Sequence, residues 1–261
     1  MKIAIYQSAL GGSAPAQRLE RLAAALADPA AADAGLLVCP ELFMSGYAIG
    51  DALHRFAEPA DGPFATAVAR LAKANGKAIL YGYPERDGTR IYNSALCFGP
   101  QGERLANHRK LVLPPGFEIQ IFARGEALTF FTLGGLKFGL LVCYDAEFPE
   151  AVRAMALNGA DVVIAPTALK DIWKSVATRM IPTRAFENGV YMVYVNHAGR
   201  EGEVTYYGGS CITGPDGEDV IRAGSGEEVL GAEIDRAAVI AAQKRLPYLE
   251  DRAQFAAALT K

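Results

Sequence analysis

The sequence predicts a single α/β domain with mixed β-sheets, and three observations support that prediction. Short apolar runs alternate with Ala-rich amphipathic segments, a pattern typical of strands that alternate with helices. Runs such as Gly35–Cys39 are continuously apolar, as in strands buried on both faces. Gly99–Gly102 reads as a turn between two strand segments, which predicts a hairpin and therefore antiparallel pairs. No linker, repeat or low-complexity segment divides residues 1–261, so we expect one domain.

The predicted strands are short and mostly bounded by residues that favour turns. In chain order they are Ile3–Gln7, Gly35–Cys39, Lys77–Tyr83, Tyr92–Phe98, Arg104–Arg109, Thr129–Leu133, Lys137–Cys143, Asp161–Ala165, Val190–Asn196, Thr205–Thr213, Asp219–Arg222 and Val229–Ile234.

The predicted helices carry apolar residues at helical spacing, and two of them stop at an Asn-Gly pair, a common helix-ending signal. They are Ala16–Ala27, Phe64–Ala74, Phe148–Asn158, Ile172–Glu187 and a last helix from about Arg236 to Arg245. Residues 113–125 predict a long loop, and loops of that length are often functional. Leu246–Lys261 is predicted to be a C-terminal tail.

Composition and charge exclude several classes of protein. The formal net charge of -3 lacks the basic excess of a nucleic-acid binder, so no nucleic-acid partner is expected. No apolar run approaches the roughly 18 residues of a membrane span, and the first residues lack a signal-peptide core, which predicts a cytoplasmic protein without a membrane partner. Four scattered cysteines and three histidines form no metal-binding motif. P-loop, dinucleotide-binding and serine-elbow motifs are also missing.

Three reactive side chains end three different predicted strands. Cys143 stands at a strand-to-helix junction, where helix N–H groups stabilise a thiolate and an oxyanion; a buried structural cysteine is the alternative. Glu41 follows Pro40 in an apolar setting that would raise its pKa towards that of a useful base, unless it only begins a helix. Lys110 could stabilise an oxyanion, or lie on the surface in solvent. Open α/β sheets assemble sites in this way.

The surrounding motifs match a known family. Glu41 lies in Pro-Glu-Leu-Phe, Lys110 in His-Arg-Lys-Leu and Cys143 in Leu-Val-Cys-Tyr-Asp. In this order and spacing they resemble the Glu-Lys-Cys triad of the nitrilase superfamily of carbon–nitrogen hydrolases, over about residues 2–255. Glu118 matches a further family glutamate that positions substrate and triad. The resemblance implies a four-layer α-β-β-α sandwich, a homodimer or larger homo-oligomer, and no metal or organic cofactor.

The motif at the nucleophile resembles that of the amidase branches. True nitrilases typically carry Cys-Trp-Glu where this chain has Cys143-Tyr144-Asp145. Stretches such as Tyr81–Arg86 and Leu246–Leu249 are most similar to bacterial 5-aminopentanamidase-like and R-stereoselective amidases. The resemblance implies that Glu41 is the base and Cys143 the nucleophile. Lys110 and the backbone N–H of Tyr144 would stabilise the oxyanion, and a thioester would form as ammonia leaves.

The negative charge of Glu147 suggests a class of substrate. Carbamoyl-amino-acid hydrolases and omega-amidases of the superfamily carry an arginine there, which binds the substrate's carboxylate. The inverted charge favours a small linear amide that carries an amine, of the 5-aminopentanamide kind. The alternative is that Glu147 only favours its helix N-terminus or pairs with a structural arginine. Tyr47 and Asn196 are further candidate substrate contacts, although Tyr47 could equally belong to the core, and His197 is expected to be a hydrogen-bonded loop histidine.

Other functions remain open at this point. An N-carbamoyl amine hydrolase would use the same triad on a ureido carbonyl and release carbon dioxide together with ammonia. A non-catalytic scaffold on the same fold is the alternative outside the enzymes. A glutaminase domain or an acyltransferase of this superfamily would carry a fused synthetase domain or membrane helices. Residues 246–261 are a candidate contact with a second copy of the chain, and Cys39, Cys97 and Cys211 are expected to be small buried hydrophobes.

Overall fold

The computed structural model describes residues 1–9, 11 and 13–259. In this part of the chain the strands are β1 (Lys2–Gln7), β2 (Leu36–Val38), β3 (Ala78–Asp87), β4 (Arg90–Phe98), β5 (Arg104–Arg109), β6 (Thr129–Leu133), β7 (Leu136–Leu140), β8 (Val162–Pro166), β9 (Tyr191–Val195), β10 (Arg200–Glu201), β11 (Val204–Thr205), β12 (Cys211–Thr213), β13 (Asp219–Arg222) and β14 (Glu228–Glu233).

The α-helices in the same residues are α1 (Pro15–Ala27), α2 (Ala52–Phe56), α3 (Pro63–Asn75), α4 (Glu118–Ile121), α5 (Pro149–Leu157), α6 (Ile181–Asn188), α7 (Arg236–Arg245), α8 (Tyr248–Asp251) and α9 (Ala253–Leu259). Short 3₁₀ turns occupy Pro29–Ala31, Cys143–Glu147 and Asp171–Trp173, and a π-helical turn spans Val176–Met180.

Two mixed six-stranded sheets form the centre of the molecule. The first has the order β14-β1-β2-β3-β4-β5, and the second has the order β13-β12-β9-β8-β7-β6. Within each sheet three central strands run parallel, β1-β2-β3 in one and β7-β8-β9 in the other, and the outer strands pair antiparallel. The predicted single α/β fold with mixed sheets is confirmed.

The layers follow from three apolar cores. Ile5, Leu80 and Phe138 belong to a core shared by both sheets, which therefore pack face to face. The outer face of the first sheet packs on α1 and α3, and that of the second sheet packs on α5 and α6. This arrangement is the α-β-β-α sandwich that the sequence resemblance implied. Within the described residues, no helix is long and apolar enough to cross a bilayer.

Several element predictions were wrong in detail. The helix predicted over Ile172–Glu187 is a 3₁₀ turn, a π-turn and then α6. The strand predicted over Thr205–Thr213 is interrupted, because Gly208 and Gly209 both adopt positive φ and break the extended chain. The loop predicted over residues 113–125 contains the short helix α4. The predicted tail holds α8 and α9, and its residues 260–261 lie outside the described residues.

Candidate active site

The three strand-end residues singled out by the sequence converge between the two sheets. Glu41 follows β2 and Lys110 follows β5, both in the first sheet, whereas Cys143 follows β7 in the second. These strands present their carboxyl ends at one edge of the sandwich, where open α/β folds build their sites. Face-to-face packing of the sheets therefore brings together residues that are as many as 102 positions apart in the chain.

The backbone at Glu41 is held by a neighbouring glycine. Gly82 of β3 donates its N–H to the Pro40 carbonyl and accepts from the Met44 N–H, both at 3.1 Å. A Cβ on Gly82 would lie 2.7 Å from the Glu41 Cα, which no real side chain tolerates. Leu42 adopts φ 48°, so the chain turns sharply directly after the carboxylate. This local geometry directs Glu41 inward from the end of the strand.

Glu41, Lys110 and Glu118 form one buried cluster. The Lys110 Nζ lies 2.8 Å from Glu41 Oε1 and 2.9 Å from both carboxylate oxygens of Glu118. Asn93 of β4 donates its amide to Glu41 Oε1 at 2.7 Å and to Glu118 Oε2 at 3.3 Å. The Tyr47 hydroxyl donates to Glu118 Oε1 at 2.6 Å. Glu41 Oε2 is buried without a hydrogen-bond partner among the described residues, so it remains available as a proton acceptor.

Cys143 occupies a strained turn at the start of the 3₁₀ segment. Its φ of 47° is unusual for a residue with a side chain, and Leu42 beside Glu41 is the other such non-glycine residue in the described chain. Cys143 lines the cavity, and the residue is 8% exposed. The first N–H groups of any helical turn lack internal partners, so the Tyr144 N–H is suited to receive negative charge.

Burial and the mutual charges of the cluster shift the pKa values of Cys143, Glu41 and Lys110. Burial raises the pKa of the Cys143 thiol, the Glu41 carboxylate raises it further and Lys110 opposes both. Burial also raises the pKa of Glu41, against the lowering effect of Lys110. For Lys110 burial alone would lower the pKa, but the charges of Glu41, Cys143 and Glu118 leave it raised. The lysine is therefore a permanent cation, while thiol and carboxylate compete for one proton.

A cavity of about 600 Å³ opens above Cys143. It is lined by Tyr47, Pro114, Pro115, Gly116, Phe117, Glu118, Cys143, Tyr144, Glu147, Ala168, Leu169, Lys170 and Trp173. Its size lies within the usual range for small-molecule sites. Four aromatic side chains, two glutamates and Lys170 are among the lining residues, so the wall combines apolar surface with a few charged groups.

The remaining predicted residues divide between the cavity and its surroundings. Tyr47, Glu118, Tyr144 and Glu147 all line the cavity. Asn196 does not: its amide is bound to the backbone of Leu169, His197 and Gly208, at 2.8 to 3.1 Å. The prediction that Asn196 contacts substrate is therefore corrected, because its polar atoms hold a segment of the cavity wall instead.

His197 behaves as the sequence suggested. Its ring nitrogens contact the Glu41 carbonyl at 2.6 Å and the Ser8 hydroxyl at 3.3 Å. Burial lowers its pKa to about 4, so the ring is neutral and structural near neutral pH. The described cysteines are all free and buried, consistent with packing roles for Cys39, Cys97 and Cys211. Within residues 1–9, 11 and 13–259, no group of three or more His, Cys, Asp or Glu side chains could hold a metal ion.

Sequence reasoning assigned no role to Asn93 or Asp145. Asn93 is a polar residue buried within an otherwise largely apolar strand, and that contrast was the only available signal. Asp145 was read only as part of the nucleophile motif. Its carboxylate accepts hydrogen bonds from the backbone N–H groups of Leu111, Val112 and Val142, at 2.8 to 3.2 Å. Such partners depend on the tertiary structure and leave little trace in sequence.

A four-layer sandwich with a buried glutamate, lysine and cysteine at one cavity defines a cysteine-dependent hydrolase of carbon–nitrogen bonds. The chain belongs to the carbon–nitrogen hydrolase family, whose family model matches residues 2–244. It is an amidase of the nitrilase superfamily, as the following similarities show.

Two relatives and one solved structure match almost the whole chain. A Pseudomonas protegens protein described as "Hydrolase in pqqF 5'region" is 42% identical over 97% of this chain and 89% of its own length. An (R)-stereoselective amidase from Pseudomonas sp. is 35% identical over 97% and 91%. A mutant of the amidase from Nesterenkonia sp. AN1 is 32% identical, with a TM-score of 0.87 over 98% of this chain and 95% of that one. That structure shows covalent addition of the acetamide moiety of fluoroacetamide at the active-site cysteine.

Proposed function

We propose that this amidase hydrolyses a small linear carboxamide that carries an amino group, of the 5-aminopentanamide kind, to the carboxylic acid and ammonia. The observation that supports this substrate is the position of Glu147. Its side chain lines the cavity beside Cys143, and its carboxylate has no hydrogen bond or ion pair within the described part of the chain. A carboxylate in that position favours a cationic ligand and disfavours an acidic one.

In the proposed reaction Glu41 takes the thiol proton through its free Oε2, and the Cys143 sulfur attacks the amide carbonyl. Collapse of the tetrahedral intermediate breaks the carbon–nitrogen bond, and Glu41 returns the proton to the departing ammonia. Glu41 then takes a proton from water, whose oxygen attacks the thioester carbonyl. The carbon–sulfur bond breaks, the acid is released, and Glu41 returns the proton to the Cys143 sulfur. Burial raises the pKa of both the Glu41 carboxyl and the Cys143 thiol, so the base and the nucleophile shift in the same direction.

The developing oxyanion is assigned to Lys110 and the Tyr144 N–H. The Lys110 Nζ donates to Glu41 Oε1 and to both carboxylate oxygens of Glu118. In the proposed reaction one of the two contacts with Glu118 is exchanged for the substrate oxygen, and the charges of the two carboxylates raise the pKa of the ammonium, which stays protonated. The Glu118 carboxylate accepts hydrogen bonds from both the Tyr47 hydroxyl and Lys110. Its proposed role is therefore to hold the lysine in place.

Glu147 is held by its backbone rather than by its side chain. Arg184 donates to the Glu147 carbonyl oxygen at 2.7 Å and pairs with Glu187 at 3.1 Å. The alternative that Glu147 serves only as a partner for a structural arginine is therefore disfavoured. Burial raises the pKa of the Glu147 carboxyl, and the charges of Lys110 and Arg184 lower it. A bound ammonium group would replace part of the hydration that the Glu147 carboxylate loses on burial.

The test compares kcat/KM for 5-aminopentanamide, pentanamide and 4-carbamoylbutanoate in wild type and Glu147→Gln. We expect wild type to prefer the amine, and Glu147→Gln to lose about 10- to 100-fold of that preference, the worth of one hydrogen bond to a charged group. The matched control is Glu150→Gln, which neutralises an exposed glutamate on α5 outside the cavity wall. It should keep the preference.

An unchanged preference for the amine in Glu147→Gln would reject the proposed substrate class. N-carbamoyl amines are tested in the same series, since carbon dioxide released together with ammonia would indicate the ureido reaction instead. A scaffold would turn over no compound and would show no unusually fast alkylation of Cys143 by iodoacetamide.

We also propose that the chain forms a homodimer or larger assembly through the side of the sandwich that carries α5, α6 and α8. Leu157, Phe186 and Tyr248 are large apolar residues exposed there by 45%, 38% and 40%. The rings of Phe186 and Tyr248 meet edge to face, so residues of the predicted tail extend this apolar surface. Phe186→Arg should lower the mass measured by analytical ultracentrifugation, whereas Ile240→Arg on α7 should not. Equal masses for wild type and Phe186→Arg would contradict this interface.

The cytoplasm is the proposed location, because a nucleophilic thiol and three further free cysteines persist in a reducing compartment.

A further inference from the structure

Asp145 contacts segments that follow strands of both sheets, and its side chain is fully buried. Oδ1 accepts the N–H groups of Leu111 and Val112 at 3.1 and 2.8 Å. Oδ2 accepts the N–H of Val142 at 3.1 Å and lies 3.6 Å from the His108 Nε2. The first two partners directly follow Lys110, just after β5 of the first sheet, and the third directly precedes Cys143, just after β7 of the second.

A local helix cap would need only part of this network. The bond to Val142 is such a cap, since Asp145 is the third residue of the 3₁₀ turn that Cys143 begins. The bonds to Leu111 and Val112 reach 34 and 33 residues back along the chain and cross to the other sheet. They contribute nothing to the turn itself, so a second role is needed to explain them.

We propose that Asp145 is a positioning residue that sets the separation between Lys110 and Cys143 by binding the backbone beside each of them. This inference rests on the proposed roles of Lys110 as oxyanion donor and Cys143 as nucleophile. Asp145 touches neither substrate nor reacting atom. It acts on catalysis because an oxyanion donor must stand about 3 Å from the position that the oxyanion will occupy. An ionised carboxylate suits this position because both oxygens accept hydrogen bonds, and N–H groups surround it.

Asp145→Asn keeps the shape of the side chain and replaces one of its two acceptor oxygens with an NH₂ donor. An amide oxygen can still accept from Leu111 and Val112, but its NH₂ group then faces the Val142 N–H, so the link to the nucleophile strand breaks. We expect kcat to fall about 100-fold, as misplacement by about 1 Å can do, while KM changes by less than about threefold. Alkylation of Cys143 by iodoacetamide should slow as well, and this readout needs no amide substrate.

Asp161→Asn is the matched control. Asp161 is also a buried aspartate, binds the Lys137 N–H at 2.9 Å and Arg236 at 3.1 Å, and stands at the opposite end of β8 from the site. The Asp161→Asn substitution should lower the thermal unfolding temperature while leaving kcat and the rate of Cys143 alkylation unchanged. If Asp145→Asn fails to fold, Asp145→Glu replaces it, because the added methylene displaces the carboxylate while keeping its charge.

The inference is overturned if the folded Asp145 variant keeps kcat and the alkylation rate within about threefold of wild type. It is also overturned if Asp161→Asn lowers both as much. A failure of the proposed function looks different: wild type would hydrolyse no compound of the amide series, while the alkylation rates would still differ between wild type and the Asp145 variant.

Discussion

Replacing Lys110 by methionine tests whether the charge of this lysine stabilises the two buried carboxylates of Glu41 and Glu118. The Lys110 Nζ contacts three carboxylate oxygens of Glu41 and Glu118 at 2.8 to 2.9 Å, and all three side chains are at most 1% exposed. Methionine fills much of the volume but leaves two buried carboxylates without a cation. Removing one partner of a buried ion pair costs about 3–5 kcal/mol. Because the free energy of unfolding of a domain is about 5–15 kcal/mol, the variant should still fold, though with much of its stability lost.

Activity should fall by more than about 10³-fold. Loss of one oxyanion donor alone costs about 10²–10³ in kcat. In addition, Glu41 and Glu118 repel each other once the cation is gone, so the pKa of at least one carboxyl rises further and the fraction of ionised base falls. Ammonia release from an amide measures this loss directly.

Stability measurements against pH provide the decisive assay. A carboxyl whose pKa is raised in the folded state binds its proton more tightly there than in the unfolded chain. The stability that this gives is present at low pH and is lost as pH rises through the raised pKa. Lys110→Met should therefore be destabilised more at pH 8 than at pH 5 relative to wild type, as measured by urea unfolding.

Lys137→Met serves as the control for the loss of a lysine. Within the described residues its Nζ donates to the Asn158 carbonyl alone and lies over the ring of Phe130, outside the cluster. The expected cost is therefore below about 1 kcal/mol at both pH values. Equal destabilisation of Lys110→Met at pH 5 and pH 8 would refute the reasoning, because it would mean that Lys110 does not neutralise buried carboxylates.

Three further predictions concern the support of Glu41. Gly82→Ala places a Cβ against the Glu41 backbone and should lower kcat about 100-fold; activity near that of wild type would show that the turn can relax. Asn93→Leu removes a donor that lowers the pKa of Glu41, so the acidic limb of the kcat/KM profile should move about 1–2 pH units higher, and an unmoved limb would contradict the assignment of Glu41 as base. Because burial lowers the pKa of His197 to about 4, wild type should lose about 3 kcal/mol between pH 6.5 and pH 4 that His197→Gln retains; parallel unfolding curves against pH would exclude this contribution.

Local pattern explains why much of the fold was predictable. The continuous apolar runs of the central strands have few alternatives, since a run such as Leu36–Val38 must be buried on both faces. The segment over residues 172–187 was harder, because a 3₁₀ turn, a π-turn and an α-helix share similar side-chain spacing. The strand predicted through Gly208 and Gly209 failed for a different reason: apolar pattern does not report the positive φ that glycine permits.

The residues of the site also divide into those that local sequence pattern predicts and those that it does not. Glu41, Lys110 and Cys143 could be found from sequence because each stands at the end of a strand in a motif typical of the family. Asn196 was predicted to contact substrate because it also ends a strand, yet its amide is satisfied by neighbouring backbone. Position at a strand end determines which residues come near a site. It does not determine which way a side chain points, since packing of the neighbouring segments decides that.

The sequence by itself determined that this is an α/β protein with a reactive glutamate, lysine and cysteine, because strand period, burial and motif are local properties. Only the tertiary structure decided which partners those residues have. Asn93 and Asp145 meet their partners across strands and sheets, and the contacts depend on the packing of two sheets that the chain forms far apart in sequence. The raised pKa of Glu41 likewise comes first from burial, a property of the assembled sandwich rather than of any segment.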